Sequence, residues 1–593
     1  MRYVFFLLTF FFASQLRSEV PPNVVIFLTD DQGWGDLSVN GNTNLSTPNI
    51  DSLARDGATY ENFYVCAVCA PTRAEFLTGH YHLRTGVTGV SEGQGRLSPD
   101  ETTLADLFKR NRYATGAFGK WHNGTQSPYH PNDRGFDEFY GFTSGHWGHY
   151  FAPPLDHNGA KVRGEGYVVD DFTNKAISFI EKNKDKPFFC YLPYNTPHSP
   201  MMVDDDYYAK FKDVNPNLKH RDPEKEDIMV TRAALAMCEN IDWNVGRVLD
   251  KLEALELAEN TIVIYFSDNG PNSFRWNGGM KGKKGSVDEG GLRSPFFIRW
   301  PGKVKADISH ELITGAIDLL PTLADLAGIK VETTHPIDGR SFAPDLLNEV
   351  QTGTPSRILF SSWKKRHSAR TKQFRLDNEG RFFDIEKDRG QTIDCSDAFP
   401  SEKENLAQAL TSYENEMAIE VSKSPRRPFT VGYSPSTTLP ARDGHASETQ
   451  SGTTVGIRRS SKAPNNSFFE NWTEETDCIT WSIETAKTGT FEAIVYYTCR
   501  QEDLGVSVEL AFASEGPSTI SSTRATVTKA FDPPLYDKSK ERVVESHYFV
   551  KDFKPLSLGL ITLNSGSGTL TLGNAQIVGN EAIDVHSIEL IRQ

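Results

Sequence analysis

Short runs of consecutive apolar and β-branched residues alternate, over the first 330 positions, with stretches whose apolar residues recur every three or four places. Residues 23–29 (Asn-Val-Val-Ile-Phe-Leu-Thr), 113–118, 188–192, 261–267 (Thr-Ile-Val-Ile-Tyr-Phe-Ser) and 296–300 are runs of the first kind. Such runs predict strands of a parallel sheet buried on both faces. The second kind includes a segment opening at Thr47-Pro48 with Ile50, Leu53 and Ala54 on one face, and a shorter one with Leu104, Leu107 and Phe108. A longer series follows through Ala234, Met237, Ile241, Val245, Val248, Leu249 and Leu252, and residues 317–326 close at Gly328. These predict amphipathic helices packed on the sheet, and the alternation implies an α/β domain over residues 20–340.

The pattern then changes. Between 341 and 425, short strand-like runs (357–361, 373–376, 381–384) precede a helical stretch, as expected of a small α+β subdomain. Residues 426–465 are rich in Ser, Thr, Pro and Gly and are expected to form a linker. Over 466–593, runs such as 478–484, 489–497, 506–512 and 558–563, separated by turn residues, predict an accessory β-sandwich. Its role is either carbohydrate binding or that of a structural cap. Residues 1–18 carry Arg2, an apolar core over 4–13 and the small residues Ala13, Ser14 and Ser18. That is the pattern of a cleaved signal peptide, so the protein is expected to be exported, periplasmic or secreted, with no stable membrane insertion.

A net charge of −15 argues against nucleic acid as a partner, so attraction of an anionic substrate must come from a local basic pocket. The cysteines number seven: Cys66, Cys69, Cys190, Cys238, Cys395, Cys478 and Cys499. An odd count in an exported chain points to a thiol with another task. Cys478 and Cys499 flank two strand-like runs, and their pairing is open.

The candidate chemistry lies just past the apolar strands, where ligands bind in open α/β sheets. Asp30-Asp31 follows the first strand and Asp268-Asn269 follows the run at 261–267. Three carboxylates and an amide are hard oxygen donors that suit Ca²⁺ better than zinc. The stretch Cys69-Ala70-Pro71-Thr72-Arg73, with Leu77-Thr78-Gly79, is expected to be a helix with Pro71 at its first position and Gly79 as a left-handed cap. Cys69 then lies at the positive end of the helix dipole, although a buried cysteine before an ordinary helix has the same local signature. Lys120 and His122, two apart at a strand end, are expected to point the same way and grip one anion. His198 follows the strand at 188–192, and a glycine-rich stretch at 278–291 carries Lys281, Lys283 and Lys284. His146, Trp147 and His149 either line a substrate pocket or form an ordinary aromatic loop patch.

The Cys69–Gly79 stretch resembles the Cys-x-Pro-Ser/Thr-Arg…Leu-Thr-Gly hallmark of the type I, formylglycine-dependent sulfatases, arylsulfatase-like members of the alkaline phosphatase superfamily. Gly119-Lys120-Trp121-His122 resembles their second signature, and residues 134–142 and 278–291 are also similar to that family. The resemblance covers about residues 20–420. It implies an alkaline-phosphatase-like fold and hydrolysis of sulfate esters. A formylglycine-generating enzyme would convert Cys69 to formylglycine (3-oxoalanine), whose hydrate is the nucleophile. Asp30, Asp31, Asp268, Asn269 and residue 69 would hold Ca²⁺. Arg73 would hold the formylglycine, and Lys120 and Lys284 the sulfate oxygens. His198 would protonate the departing oxygen, alone or with Lys284, and His122 would take the proton from the second hydroxyl so that the aldehyde regenerates. The region 276–282 resembles bacterial polysaccharide sulfatases, which implies a sulfated saccharide such as 4-sulfated galactose or N-acetylgalactosamine, with His146 at the sugar. The alternatives are a phosphodiesterase or phosphonate hydrolase using the same nucleophile, and an inactive sulfatase-like carbohydrate-binding protein.

Overall fold

The computed structural model describes residues 20–347, 357–423, 427–447, 456–460, 467–515, 520–543 and 550–593. The expected signal peptide lies outside them. The strands of the main sheet are β1 (Asn23–Thr29), β2 (Ala58–Tyr64), β3 (Ala114–Lys120), β4 (Glu138–Phe142), β5 (Pro154–His157), β6 (Ala160–Arg163), β7 (Phe188–Pro193), β8 (Thr261–Ser267), β9 (Phe296–Arg299) and β10 (Ile308–Gly315). They pair in the order β10-β2-β9-β8-β1-β7-β3-β4-β5-β6. β1 is central and runs parallel to β7 and β8, whereas β9 is antiparallel to both β2 and β8.

Side chains of β1 alternate between two apolar layers, as the two-residue strand period requires. Val25 and Phe27 join a cluster with Ile241 and Val245 of the helix Ile228–Ala254. Val24, Ile26 and Leu28 join a second with Phe76 of the helix Cys69–Thr78 and Leu323 of the helix Leu319–Leu326. Helices therefore cover both faces. In the β1–β8 register Thr29 stands opposite Ser267, and the Asp268 amide donates to the Thr29 carbonyl at 3.0 Å. The two acidic loops thus leave adjacent strands side by side.

A four-stranded antiparallel sheet follows (Leu359–Trp363, Arg366–Arg370, Phe374–Asp377, Phe382–Asp384), covered by the helix Pro400–Lys423. Two further sheets enclose a core that includes Trp472, Trp481, Phe491 and Val585. The stretch expected as a linker differs from expectation. Phe429–Val431 pairs in parallel with Ile479–Thr485, and Ser436–Pro440 pairs antiparallel to Asp584–Arg592. Its Ser, Thr and Pro residues read as turn formers, yet Phe429, Val431 and Leu439 are buried in the sandwich core. All seven cysteines are free thiols. No helix among the described residues is long and apolar enough to cross a membrane.

Candidate active site

The helix Cys69–Thr78 begins at Cys69 itself, with extended Val68 as its N-cap and Gly79 closing it in the left-handed region at φ 72°. Pro71 is therefore the third helical residue and not the first. It is tolerated there because the first four helical N–H groups have no intrahelical acceptor. The N-terminus of the helix points at the ends of β1 and β8. Thr72 Oγ1 donates to the Asp268 carbonyl at 2.5 Å and accepts from the Cys66 amide at 2.9 Å, which fixes the turn before the helix. Arg73 donates from Nη2 to Asp268 Oδ2 and from Nη1 to the Lys120 carbonyl, both at 2.8 Å.

Asp30, Asp31, Asp268 and Asn269 are all buried. Lys120 Nζ lies 2.5 Å from Asp30 Oδ2, and Lys284 Nζ lies 2.6 Å from Asp31 Oδ1. Asn269 Nδ2 donates to Asp31 Oδ1 at 2.8 Å, which turns its amide oxygen the other way. Three buried oxygens, Asp30 Oδ1, Asp31 Oδ2 and Asn269 Oδ1, have no hydrogen-bond partner among the described residues. Ligand atoms of Asp30, Cys69 and Asp268 lie within 4.8 Å of one another, as do those of Asp30, Asp31 and His198. Buried oxygens left without donors are costly unless a cation takes them. The donor set, hard and carboxylate-rich, fits a divalent cation.

The charges interlock. Burial alone would raise the Asp30 carboxyl, but Lys120, His198, Arg73 and Lys284 outweigh it and hold that group well below the usual carboxylate range. Asp31 is likewise lowered, against its burial, chiefly by Lys284 and His198. Asp268 goes the opposite way, pushed up to about 7 by burial and the neighbouring Asp30 charge despite Arg73. Burial raises the Cys69 thiol, with Lys120 and Lys284 opposing. Lys284 is raised, because Asp31 and the other negative groups overcome its burial.

His198 sits with Nε2 3.6 Å from Asp31 Oδ2 and Nδ1 2.7 Å from the Ser199 carbonyl. Tyr150 donates to the His198 and Ser199 carbonyls and so anchors this loop. The rings of His146 and His198 stack with centroids 5.7 Å apart. Burial and then Lys284 lower His198, while burial and then His198 lower His146. Trp147 instead packs on Phe142, and His149 points to the sandwich, with Nε2 2.9 Å from the Asp537 carbonyl.

Lys120 and His122 do not act as a parallel pair. β3 ends at Lys120, and His122 has φ 70°, a left-handed conformation in which the strand alternation is lost. Its Nε2 lies 2.8 Å from the Val90 carbonyl, and its buried Nδ1 has no hydrogen-bond partner among the described residues. Asp31 is also left-handed, at φ 66°. Two such residues in one site are typical of functional backbone strain. The sequence argument missed Arg275, which grips Asp36 and donates to the Asp31 carbonyl at 2.9 Å. It also missed Tyr150. Neither residue carries a local signal, since each acts across a long sequence separation.

A mostly parallel sheet with acidic strand ends beside a cysteine-led helix and two lysines is an α/β fold of the alkaline-phosphatase-like class. A solved phosphonate monoester hydrolase of Agrobacterium radiobacter shares that fold, with TM-score 0.53, 19% identity and coverage of 67% of this chain and 96% of that one. The family model described as Sulfatase matches residues 22–329, and the chain belongs to the sulfatase family, whose members hydrolyse sulfate esters. N-acetylgalactosamine-6-sulfatase of Mus musculus is 32% identical over 377 residues, covering 56% of this chain and 68% of that protein. The structure titled Ps i-CgsB in complex with k-i-k-neocarrahexaose is 29% identical, with TM-score 0.61 over 66% of this chain and 92% of that one.

Proposed function

We propose that the protein is an exported, calcium-dependent sulfatase that removes a sulfate ester from a galactose-type saccharide, through a formylglycine made from Cys69 by a formylglycine-generating enzyme. One observation carries this reading. Cys69 at a helix N-terminus lies with Asp30 and Asp268, Lys120 and Lys284 pair with Asp30 and Asp31, and three buried oxygens of Asp30, Asp31 and Asn269 have no hydrogen-bond partner among the described residues. Asp30, Asp31, Asp268 and Asn269 would hold Ca²⁺, which when bound supplies positive charge to the sulfuryl oxygens and to the nucleophile. Formylglycine at position 69 would supply that nucleophile.

The chain's own residues supply the rest. Arg73, locked to Asp268 and the Lys120 carbonyl, holds the start of the helix against the acidic strand ends. Lys120 and Lys284 bring their side-chain nitrogens to the place an anionic sulfate must occupy, and their links to Asp30 and Asp31 fix them there. His198 gives a proton to the departing sugar oxygen. Its proton is disfavoured by burial and by Lys284, and an incoming anion restores it. His122 accepts a proton at Nδ1, the nitrogen without a partner. His146, stacked on His198, borders the sugar.

Support for a galactose-type substrate comes from two names. One relative is an N-acetylgalactosamine-6-sulfatase, and one similar structure was solved with a neocarrahexaose. The position of the sulfate, C4 or C6, is decided by assay on both isomers. The phosphonate hydrolase likeness concerns the fold alone, and the absence of a histidine-rich donor set around Asp30 and Asp268 among the described residues favours the sulfate reading.

The test is the mass of the peptide carrying Cys69 after co-expression with a formylglycine-generating enzyme, together with turnover of paired aryl sulfate and aryl phosphate esters. Conversion of the thiol to an aldehyde, with preference for the sulfate, is expected. An unmodified, inactive protein that still binds sulfated sugars would establish the carbohydrate-binding alternative, and preference for phosphate the phosphodiesterase.

A further inference from the structure

The glycine-rich stretch at 278–291 carries three lysines, and two of them are answered by carboxylates. Lys284 Nζ lies 2.6 Å from Asp31 Oδ1, and Lys281 Nζ lies 3.9 Å from Asp288 Oδ1. Lys283, which the reaction derived above does not use, has no ion-pair partner among the described residues. Its Nζ donates to the Asn272 carbonyl at 3.1 Å and stands 5.1 Å from the centre of the Phe274 ring. An ammonium carries three N–H donors, so this half-buried side chain keeps donors for a further acceptor.

Lys283 is tied to the site through Asn272. That residue also donates from Nδ2 to the Pro197 carbonyl at 3.3 Å, one position before His198, and its Oδ1 accepts from Arg275 Nη1 at 2.8 Å. The Lys284 amide donates to the Pro271 carbonyl at 3.0 Å, so the loop bearing both lysines is fastened to the segment 271–272. Phe274 is itself packed by the ring of buried His220, with centroids 4.9 Å apart. The Lys283 side chain is thus set in place beside Lys284 and the His198 loop.

The surrounding charge favours an anion. Asp31, Arg275 and Lys284 are the charged groups that act on Lys283. Asp31, the single carboxylate of the three, is already held by Lys284. Burial lowers the Lys283 ammonium against the pull of Asp31, and Arg275 and Lys284 add to the lowering. A partly buried cation next to two others is costly until a negative group neutralises it. In a chain of net charge −15, this is a local centre of positive charge.

We propose that Lys283 binds a second anionic group of the substrate, a sulfate or a carboxylate on the sulfated sugar or on its neighbour, so that the enzyme selects polyanionic saccharides. The inference rests on the sulfatase reading above and deepens it: Lys284 contacts the sulfate that is removed, and Lys283 the anion that stays.

The experiment compares matched substrates. Steady-state kinetics are measured for N-acetylgalactosamine and galactose carrying a 4-O-sulfate, a 6-O-sulfate or both, and for disaccharides in which the sulfated unit adjoins a uronic acid or a neutral hexose. In the wild-type enzyme, KM for a doubly charged substrate should lie about tenfold or more below KM for its singly charged match, as expected of one charge-assisted bond. Lys283→Met should erase that advantage by raising KM for the doubly charged member, with a much smaller change for the other. Lys283→Arg, which keeps the cation, should retain most of the advantage. A gain confined to the disulfated sugars identifies sulfate as the second anion, and one confined to the uronic acid pair identifies carboxylate. No advantage for any doubly charged substrate, an advantage that persists in Lys283→Met, or equal losses on both members of a pair would overturn the subsite. If the wild-type enzyme cleaves none of these esters, the sulfatase reading fails. Calorimetric affinities of the same saccharides for a Cys69→Ala protein, with and without Lys283→Met, then decide the subsite: a lost preference for the second charge supports it, and equal affinities or no binding overturn it.

Discussion

Arg73 and Asp268 form an ion pair at 2.8 Å in which both side chains are fully buried, joining the helix that starts at Cys69 to the end of β8. The second arm of the guanidinium caps the Lys120 carbonyl at the end of β3. One side chain thereby ties together the ends of three elements. A buried pair of this kind adds little net stability over an apolar pair, but losing one partner strands the other.

Arg73→Ala should therefore cost far more than a surface charge deletion. Stranding Asp268 beside Asp30 is expected to destabilise the fold by about 3–5 kcal/mol, read by denaturant unfolding. Arg73→Lys keeps the charge but cannot reach both acceptors, so it should retain most of the stability while losing most of the turnover. Equal stability in the alanine variant and the parent would refute this account of the pair.

The unpartnered oxygens of Asp30, Asp31 and Asn269 predict the effect of metal removal. A chelator should abolish turnover and lower the melting temperature, and added Ca²⁺ should restore both. At a hundredfold excess over the dissociation constant, binding to the folded state alone is worth about 2.7 kcal/mol. Asn269→Ala removes one ligand without adding charge and should shrink the Ca²⁺-induced rise in melting temperature. A calcium-insensitive melting curve in the wild-type protein would count against the assignment.

How much of this was legible in the sequence depends on the range of the forces involved. Residues 23–29 and 261–267 match β1 and β8 at both ends, because an unbroken apolar run bounded by charged loops has few other options. The acidic loops and His198 stand out because each follows such a run, whereas Cys69 and Lys284 stand out through their resemblance to the sulfatase motifs. Pro71 was placed two residues out of position, since extended Val68 caps the helix with its backbone and leaves no Ser, Thr or Asp signal. The orientation of His122 was missed because its positive φ ends the strand alternation. The polar strand Arg366–Arg370 has no apolar run to reveal it, and the strands at 429–431 and 436–440 are held by partners 54 to 155 positions away. Arg275 reaches the site through Asp36, 239 positions away.

Glu75, on the same helix as Cys69, gives a pH dependence of stability. Burial pushes its carboxyl from 4.5 up to about 8, against hydrogen bonds from Cys66 and the His82 amide. Below 4.5 the group is protonated in both folded and unfolded chains and contributes nothing. Between 4.5 and about 8 the folded protein keeps a proton that the unfolded chain has released, so stability falls as pH rises through that window and levels off above it. Glu75→Gln should remove this slope, so that the variant gains on the wild type as pH rises from 5 to 8. Unfolding curves across that range check it, and parallel profiles would show that Glu75 ionises normally.

His198 gives the sharpest kinetic prediction, because the need for its proton depends on the leaving group. A sugar hydroxyl is a poor leaving group and must be protonated as the bond to sulfur breaks, whereas an acidic phenol departs as its anion. His198→Asn should therefore lower kcat for a saccharide sulfate by about 10²–10⁴-fold and for 4-nitrophenyl sulfate by a much smaller factor. Tyr150 holds the carbonyls of His198 and Ser199, and Asp31 lies 3.6 Å from the reactive nitrogen. Tyr150→Phe frees that loop without touching the proton donor, so its smaller loss should be the same for both substrates. If His198→Asn instead reduced both substrates equally, His198 would be binding the sulfate and not delivering the proton. Lys284, the other positively charged group beside Asp31, would then be the acid.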